Sequence, residues 1–245
     1  MKTRRDRALI LTVAAVLLLA GAVLTPRPAL GAGSCRLLDA FPATGQTTCW
    51  NSAGTGIACA GTGQDGDIQA GATLRYRDNG NGTITDLNTL LTWEKKSDDG
   101  SIHDKDTLYT WVNALGTFIP MLNNRCADET TDCTAGGDAA CTGIGNGRCG
   151  FAGRRDWRLA NGRELPSIIN YENVNPAVSS AFNTGCVPTC TVLTCSCTAS
   201  FYWSSSTFAN GPSNAWSVDF FAGSVSGGGK SSLFLVRAVR GGCVN

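Results

Sequence analysis

The clearest pattern in the chain is an alternation of apolar and polar residues between positions 201 and 242. Trp216, Val218 and Phe220 alternate with Ser217 and Asp219, which is the two-residue period of a strand with one buried face. Residues 233–239 are almost wholly apolar, as in a central strand covered on both sides, and residues 201–203 begin another strand. The Gly, Ser and Asn residues between these segments favour turns. We therefore predict a three-stranded antiparallel meander with polar connections.

Residues 74–86 have the pattern of a β-hairpin. Two short runs with strand-forming residues flank Asp78-Asn79-Gly80-Asn81-Gly82, and Asn-Gly pairs adopt the positive φ angles that such turns need. Residues 91–94 continue as the next strand, with Trp93 facing inward. The carboxylates between Asp78 and Asp86 also allow a calcium loop, although the flanking helices and the twelfth-position glutamate of an EF-hand are missing.

Residues 106–121 are predicted to form the first helix. Asp106 is the expected N-cap and Pro120 marks the expected end. The apolar positions recur at the spacing of a single helical stripe, which we expect to pack in the core: Leu108, Trp111, Val112, Leu115 and Ile119.

A second helix is predicted after residue 161. Asn161 and Glu164 have the spacing of a capping box for a helix that runs through residues 165–169. Before it, Trp157 and Leu159 share one face of a short strand. Four nearby arginines either pair with carboxylates and cover aromatic rings or bind an anion: Arg154, Arg155, Arg158 and Arg163.

The first 31 residues resemble a signal peptide. A basic start, MKTRRDR, precedes an uncharged apolar run and small residues at Ala29 and Gly31, which predicts export with cleavage; a retained membrane anchor is the competing interpretation. The whole chain has 20 basic and 19 acidic residues. The leader holds five of the basic and one of the acidic residues, so the mature chain would carry −3. No basic field remains to attract nucleic acid.

All twelve cysteines follow the leader. An even number in an exported chain predicts disulfides and no metal site, because the compartment is oxidising. Cys49 and Cys59 are expected to pair within an irregular lead arm, residues 32–73. Two cysteine-rich insertions, residues 123–150 and 185–197, are expected in the main domain, residues 74–245, and two bridges should hold the first. The remaining candidates are Cys35, Cys126, Cys133, Cys141, Cys149, Cys186, Cys190, Cys195, Cys197 and Cys243.

Several segments together resemble a known family. In chain order they are RYRDNGNGTITDLNTLLTWEK, GRRDWRLANGREL, YWSSS, AWSVDF and LVRAVRGG. Over residues 74–242 the chain is similar to the C-terminal domain of bacterial collagen-like adhesins, the Lcl C-terminal domain. This resemblance implies an α+β fold of the C-type-lectin-like kind, with two helices packed on a twisted antiparallel sheet. The chain has no Gly-X-Y run of the collagen type.

The resemblance also implies which residues bind ligand. It places ligand contacts in the last strands and their loops, at Thr207, Phe208, Asn210, Asn214, Phe221, Ser224 and Lys230. It assigns a framework role to Trp157, Trp203, Trp216, Arg237 and Arg240.

The expected function is non-enzymatic recognition of a glycan or protein, without a cofactor, by a secreted, surface or periplasmic domain. A structural envelope component is the first alternative. The second is an oxidase similar to formylglycine-generating enzymes, which would require reactive cysteines. His103 is the single histidine, in a polar stretch, so a Ser–His arrangement would have to use it. Calcium-dependent sugar binding is not supported, because Asn175-Pro176-Ala177 and Trp203-Ser204-Ser205 replace the lectin triplets.

Overall fold

The computed structural model describes residues 41–241. The predicted signal peptide, Cys35 and Cys243 lie outside the described residues. Within them, mostly antiparallel strands combine with few, short helices and several disulfides. The strands are β1 Cys49–Trp50, β2 Gly56–Ile57, β3 Tyr76–Asp78, β4 Thr83–Asp86, β5 Thr92–Glu94, β6 Arg158–Leu159, β7 Phe201–Thr207, β8 Asn214–Asp219, β9 Ser224–Gly229 and β10 Ala238–Arg240. The helices are α1 Asp65–Ile68, α2 Trp111–Asn113 and α3 Ile119–Asn124, with 3-10 turns at Gly137–Cys141, Phe151–Gly153, Leu165–Ile168 and Ser180–Phe182.

The strands of the described part form three sheets. The largest has five antiparallel strands in the order β3-β4-β5-β10-β6. A three-stranded antiparallel sheet follows the order β7-β8-β9, and β1 pairs with β2 in the lead arm. The predicted hairpin is confirmed, since Tyr76 pairs with Asp86 and Asp78 with Ile84. Trp93 on β5 is fully buried, as predicted.

The predicted three-stranded meander is correct in number but wrong in its third strand. β9, the Ser-Val-Ser-Gly-Gly-Gly segment, pairs with β8, whereas residues 233–239 meet this sheet only through a parallel bridge between Leu235 and Tyr202 of β7. The chain then reaches β10, which lies between β5 and β6 of the larger sheet. Ala238 packs in one hydrophobic core and Val239 in the other, so β10 is indeed covered on both faces.

Two hydrophobic cores fill the described structure. The first is built around Ile84, Trp93, Leu165, Ile168, Phe182, Tyr202, Val218, Phe220 and Val239. The second is built around Phe118, Leu122, Trp157, Leu159, Trp203, Ala215 and Val236. Adjacent residues of β7, Tyr202 and Trp203, enter different cores, as the alternation of a strand requires. Trp157 and Leu159 share a core, as predicted.

The predicted first helix begins later and ends later than expected. Thr110, not Asp106, is the N-cap, because Tyr109 still forms a bridge with Phe234 and the Thr110 side chain accepts from the Asn113 amide. A π-helical turn, Ala114–Phe118, joins α2 to α3. This wider turn accommodates Pro120, which lacks an N–H and would otherwise clash with the preceding turn. The helix therefore continues to Asn124.

The buried face of this helix is centred one position from the predicted stripe, of which Trp111, Leu115 and Ile119 are partly buried against the second core, as predicted. Ala114, Phe118 and Leu122 are the buried positions, at four-residue spacing. Leu108 and Val112, by contrast, are exposed. The delayed start and the π turn rotate the helix relative to an uninterrupted α-helix that begins at residue 106.

The predicted capping box forms, but the helix it opens is a single 3-10 turn. The Asn161 side chain accepts hydrogen bonds from the Arg163 and Glu164 amides, and the Glu164 carboxylate accepts one from the Asn161 amide, at 2.8–2.9 Å. The turn Leu165–Ile168 ends when Ile169 becomes extended. The Glu164 carboxylate also pairs with Arg158 at 2.6 Å, which fits the carboxylate-pairing interpretation of that arginine.

Every cysteine of the described part is in a disulfide. Cys49 pairs with Cys59, and two bridges hold residues 123–150, so both predictions are confirmed. The four cysteines of the second insertion pair with one another. The bridges of the two insertions are Cys126–Cys141, Cys133–Cys149, Cys186–Cys197 and Cys190–Cys195.

Candidate binding surface

The seven predicted ligand residues divide between the two ends of the three-stranded sheet. Five lie where β7 turns into β8 and where β9 ends: Thr207, Phe208, Asn210, Asn214 and Lys230. Phe221 and Ser224 lie at the β8–β9 turn, the opposite end. β8 has six residues, so about 17 Å of strand separates the ends. The structure therefore does not bring the seven residues into one site.

Lys230 is the centre of the first group. Its ammonium Nζ donates to Thr207 Oγ1 at 2.9 Å and lies 4.1 Å from the centre of the Trp111 ring. Trp111 is held in turn by hydrogen bonds from its indole Nε1 to the Ser204 carbonyl and from its amide to the Lys230 carbonyl. A cation over a half-buried indole leaves part of both groups accessible to a ligand.

Phe208 and Trp216 form an aromatic pair beside the first group. Their rings meet edge to face with centres 4.7 Å apart, and both side chains are half-buried. Trp216 was expected to share a buried face with Val218 and Phe220. Val218 and Phe220 are buried, because the first core covers the part of β8 in which they lie. Trp216 lies beyond the edge of that core. It lines a shallow, open depression with Asn161, Gly162, Arg163, Ser206 and Val225.

We call the combined set the sheet-end surface: Trp111, Thr207, Phe208, Asn214, Trp216 and Lys230. Its two parts lie on opposite faces of the sheet end, because Thr207 pairs with Ala215 whereas Phe208 packs on the neighbouring Trp216. Asn214 connects them through the backbone, since its carbonyl accepts from the Phe208 amide and its Cα is paired with Gly229. Trp111 packs against the second core, as the predicted stripe implies, and its contact with Lys230 was not predicted; Trp216 was predicted as a framework residue. The alternation of apolar and polar residues does not show which residues of a strand are exposed to solvent when the core ends partway along that strand.

The opposite end of the sheet has a different character. Phe221 is 53% exposed and its amide bonds to the Asp219 carboxylate. The Tyr171 hydroxyl donates to the Gly223 carbonyl, and Tyr171 itself is exposed. This end therefore offers exposed aromatic rings, and Ser224 is an exposed neighbour with a hydroxyl but no charge.

The other predicted framework residues lie inside the domain or at its edge. Trp157, Trp203 and Arg237 are at most 2% exposed. Arg240 is half-buried and forms a two-point ion pair with Asp156, at 2.8 and 3.0 Å. Arg237 donates to the carbonyls of Glu94 and Cys197, so it ties β5 to the second insertion.

A buried charge cluster connects β5, β10 and residues 101–106. The Glu94 carboxylate is fully buried and accepts from Lys96 Nζ at 3.1 Å, from the Ala238 amide at 2.8 Å and from the ring of His103, whose Nδ1 is 2.7 Å away. Burial alone would raise the pKa of Glu94, but the Lys96 charge and the His103 hydrogen bond hold it below its usual value. Burial lowers the pKa of Lys96, and Glu94 opposes that shift. His103 was expected in a polar loop; it is 3% exposed.

The carboxylates considered for calcium serve as turn acceptors. Asp78 accepts from the Gly80 amide and from Lys95 Nζ, and Asp86 accepts from the Asn88 amide and the Thr89 hydroxyl. These contacts fit the hairpin interpretation of residues 78–86. In the first insertion, Asp128, Asp132 and Asp138 likewise accept from nearby backbone amides.

Comparison with known proteins identifies the family. A family model described as the Lcl C-terminal domain matches residues 82–240, which is more than half of the chain. None of the curated proteins matches the chain. Within residues 41–241, no helix has the length and apolar character that a membrane crossing needs. The chain belongs to the Lcl C-terminal domain family.

Proposed function

We propose that this member of the Lcl C-terminal domain family is an exported, non-enzymatic recognition module with a C-type-lectin-like fold that binds a glycan or protein ligand at the sheet-end surface. The observation that carries the proposal is that half-buried aromatic rings lie beside hydrogen-bonding groups on both faces of one end of the three-stranded sheet. Trp111, Phe208 and Trp216 supply the rings, and Asn214 and Lys230 supply amide and ammonium groups. Tryptophan and similar rings beside polar groups are enriched at recognition surfaces.

The positions of these groups are fixed before any ligand arrives. Phe208 is held against Trp216, and Lys230 is held by Thr207 and by the Trp111 ring, so little side-chain entropy would be lost on binding. The strands behind them pack on the second core through Trp203. A preorganised surface of this kind favours recognition over catalysis.

The chemistry of the described residues supports a non-enzymatic role. The ten cysteines between residues 41 and 241 are paired, whereas a thiol-dependent oxidase needs reactive cysteines. His103 is buried with its Nδ1 engaged by the Glu94 carboxylate, and the six residues of the sheet-end surface include no serine. Disulfide-rich construction also favours an oxidising location outside the cytoplasm.

The experiment is a screen of the full chain on glycan and envelope-fraction arrays, followed by the affinity of two matched variants. Phe208→Ala removes a ring from the sheet-end surface, and Phe221→Ala removes an equal ring from the opposite end. We expect Phe208→Ala to weaken binding about tenfold or more, as for a hot-spot aromatic, and Phe221→Ala to leave it unchanged. Loss of affinity in Phe221→Ala alone would refute the choice of end. Retention of affinity in both variants would refute the surface.

A further inference from the structure

A separate cavity lies between the two cysteine-rich insertions, on another part of the domain. It has a volume of about 370 Å³, which is within the range of small-molecule pockets. We call it the insertion cavity. Its apolar walls are formed by Ile102, Met121, Leu122, Phe151, Val192 and Leu193. His103, Arg125 and Glu129 contribute charged or polar groups.

His103 presents its Nε2 to this cavity. Its ring is buried and packs on Phe151 with centres 4.2 Å apart. Nδ1 is 2.7 Å from the Glu94 carboxylate, which only accepts hydrogen bonds when ionised. Nδ1 therefore carries a proton, and in the neutral ring Nε2 is left with its lone pair.

Glu129 places a second acceptor beside the first. Its Oε1 is 3.6 Å from His103 Nε2, too far for a hydrogen bond between them. Its Oε2 accepts from the Ile102 amide at 3.1 Å, and Arg125 donates to the Glu129 carbonyl at 2.6 Å. Glu129 has a φ of 60°, an uncommon conformation for a residue with a side chain. The first insertion thus holds a carboxylate against the buried imidazole.

We propose that the insertion cavity binds a primary ammonium group carried on an apolar body, with the ammonium on the cavity side of His103 Nε2 and Glu129 Oε1 and within hydrogen-bond reach of both. An ammonium has three donors and no acceptor, which complements a lone pair and a carboxylate that face the same space. A carboxylate ligand would meet the Glu129 charge. An alcohol could donate to one acceptor but would lack the charge-assisted bond. The apolar walls accommodate the carbon chain.

The test uses the full chain with its disulfides formed and three probes of equal chain length: hexylamine, hexan-1-ol and hexanoate. By titration calorimetry or chemical-shift titration, we expect hexylamine to bind about tenfold more tightly than hexan-1-ol, and hexanoate more weakly than either. Glu129→Gln keeps the side-chain size and should lower hexylamine affinity about tenfold. Asp106→Asn, which removes the same charge from an exposed site, should leave hexylamine affinity unchanged.

Leu193→Ala provides a second variant that does not depend on the charged groups. Leu193 is 64% exposed, so the fold tolerates its truncation. The variant should weaken hexylamine binding and leave ethylamine binding as in the wild type. The proposal is overturned if hexanoate binds as tightly as hexylamine, if Glu129→Gln and Asp106→Asn have equal affinities, or if no probe binds. Phe208→Ala should not change hexylamine binding, which separates this outcome from that of the sheet-end surface.

Discussion

Glu94→Gln is the substitution that probes the buried charge cluster most directly. The variant keeps the size of the side chain but removes the negative charge that faces Lys96, which is only 1% exposed. It also replaces one carboxylate oxygen by an NH2 group. A hydrogen-bond donor can then face the donor N–H of Ala238, where the carboxylate offered an acceptor. Arg237, fully buried and bonded to the Glu94 carbonyl, adds positive charge nearby.

The cost follows from what Lys96 can do without its partner. If it stays charged, a buried ion without its counter-ion costs about 3–5 kcal/mol. If it releases its proton at pH 7, a shift from about 10.4 to 7 costs about 4.6 kcal/mol at 1.36 kcal/mol per unit. Both routes predict that Glu94→Gln lowers the free energy of unfolding by about 3–5 kcal/mol. That is a large part of the roughly 5–15 kcal/mol expected for a domain.

The free energy of unfolding of Glu94→Gln should also depend on pH, with a sign set by the protonation of Lys96. In Glu94→Gln a neutral Lys96 in the folded state becomes charged on unfolding, so the unfolded state binds more protons and stability rises with pH. We expect a slope of up to about 1.4 kcal/mol per pH unit between pH 7 and 9, steeper than in the wild type. In the wild type, the lowered pKa of Glu94 contributes stability above the unfolded pKa that is lost as pH falls through the folded pKa.

The assay is urea unfolding of the oxidised protein at several pH values. Asp106→Asn is the control, because Asp106 is exposed and its ion pair with Lys105 should be worth less than about 1 kcal/mol. Lys96→Met added to Glu94→Gln should restore at least half of the loss, since it removes the unpaired charge. A loss below about 1 kcal/mol in Glu94→Gln, or a pH slope equal to that of the wild type, would refute the reasoning.

Three further substitutions test packing and local structure by urea unfolding. Gly228→Ala would place a Cβ 2.5 Å from the Phe234 ring and 3.0 Å from that of Trp203, so we expect a loss of about 1–3 kcal/mol; an unchanged midpoint would contradict this packing. Gly116→Ala meets nothing within 4 Å in the exposed helical turn and should stabilise by about 0.5–1 kcal/mol, whereas destabilisation would argue against the helical turn. Asn161→Ala removes the acceptor for two backbone amides and should cost about 1 kcal/mol; equal stability would mean that the capping box contributes nothing.

Local chemistry explains which elements could be predicted from the sequence. The hairpin around Asn79-Gly80, the capping box of Asn161 and Glu164, and the Cys49–Cys59 bridge each depend on residues close together in the chain. Their geometry follows from turn, cap and loop preferences.

Elements that depend on distant partners could not be predicted in the same way. β9 is rich in glycine, which is depleted in strands; it is a strand because β8 pairs with it and because Gly228 fits beneath Phe234 and Trp203. The helix starts at Trp111 because Tyr109 bridges to Phe234, more than 100 positions later. The burial of His103 likewise depends on Glu94 and on the first cysteine-rich insertion. The residues next to His103 in the chain do not specify how that insertion folds.

The most direct test of the recognition surface is chemical-shift mapping of the full chain with a ligand selected from the array. We expect the largest shifts at Phe208, Asn214, Trp216 and Lys230, together with the Trp111 indole. Shifts confined to Tyr171 and Phe221, at the opposite end of the sheet, would contradict this expectation.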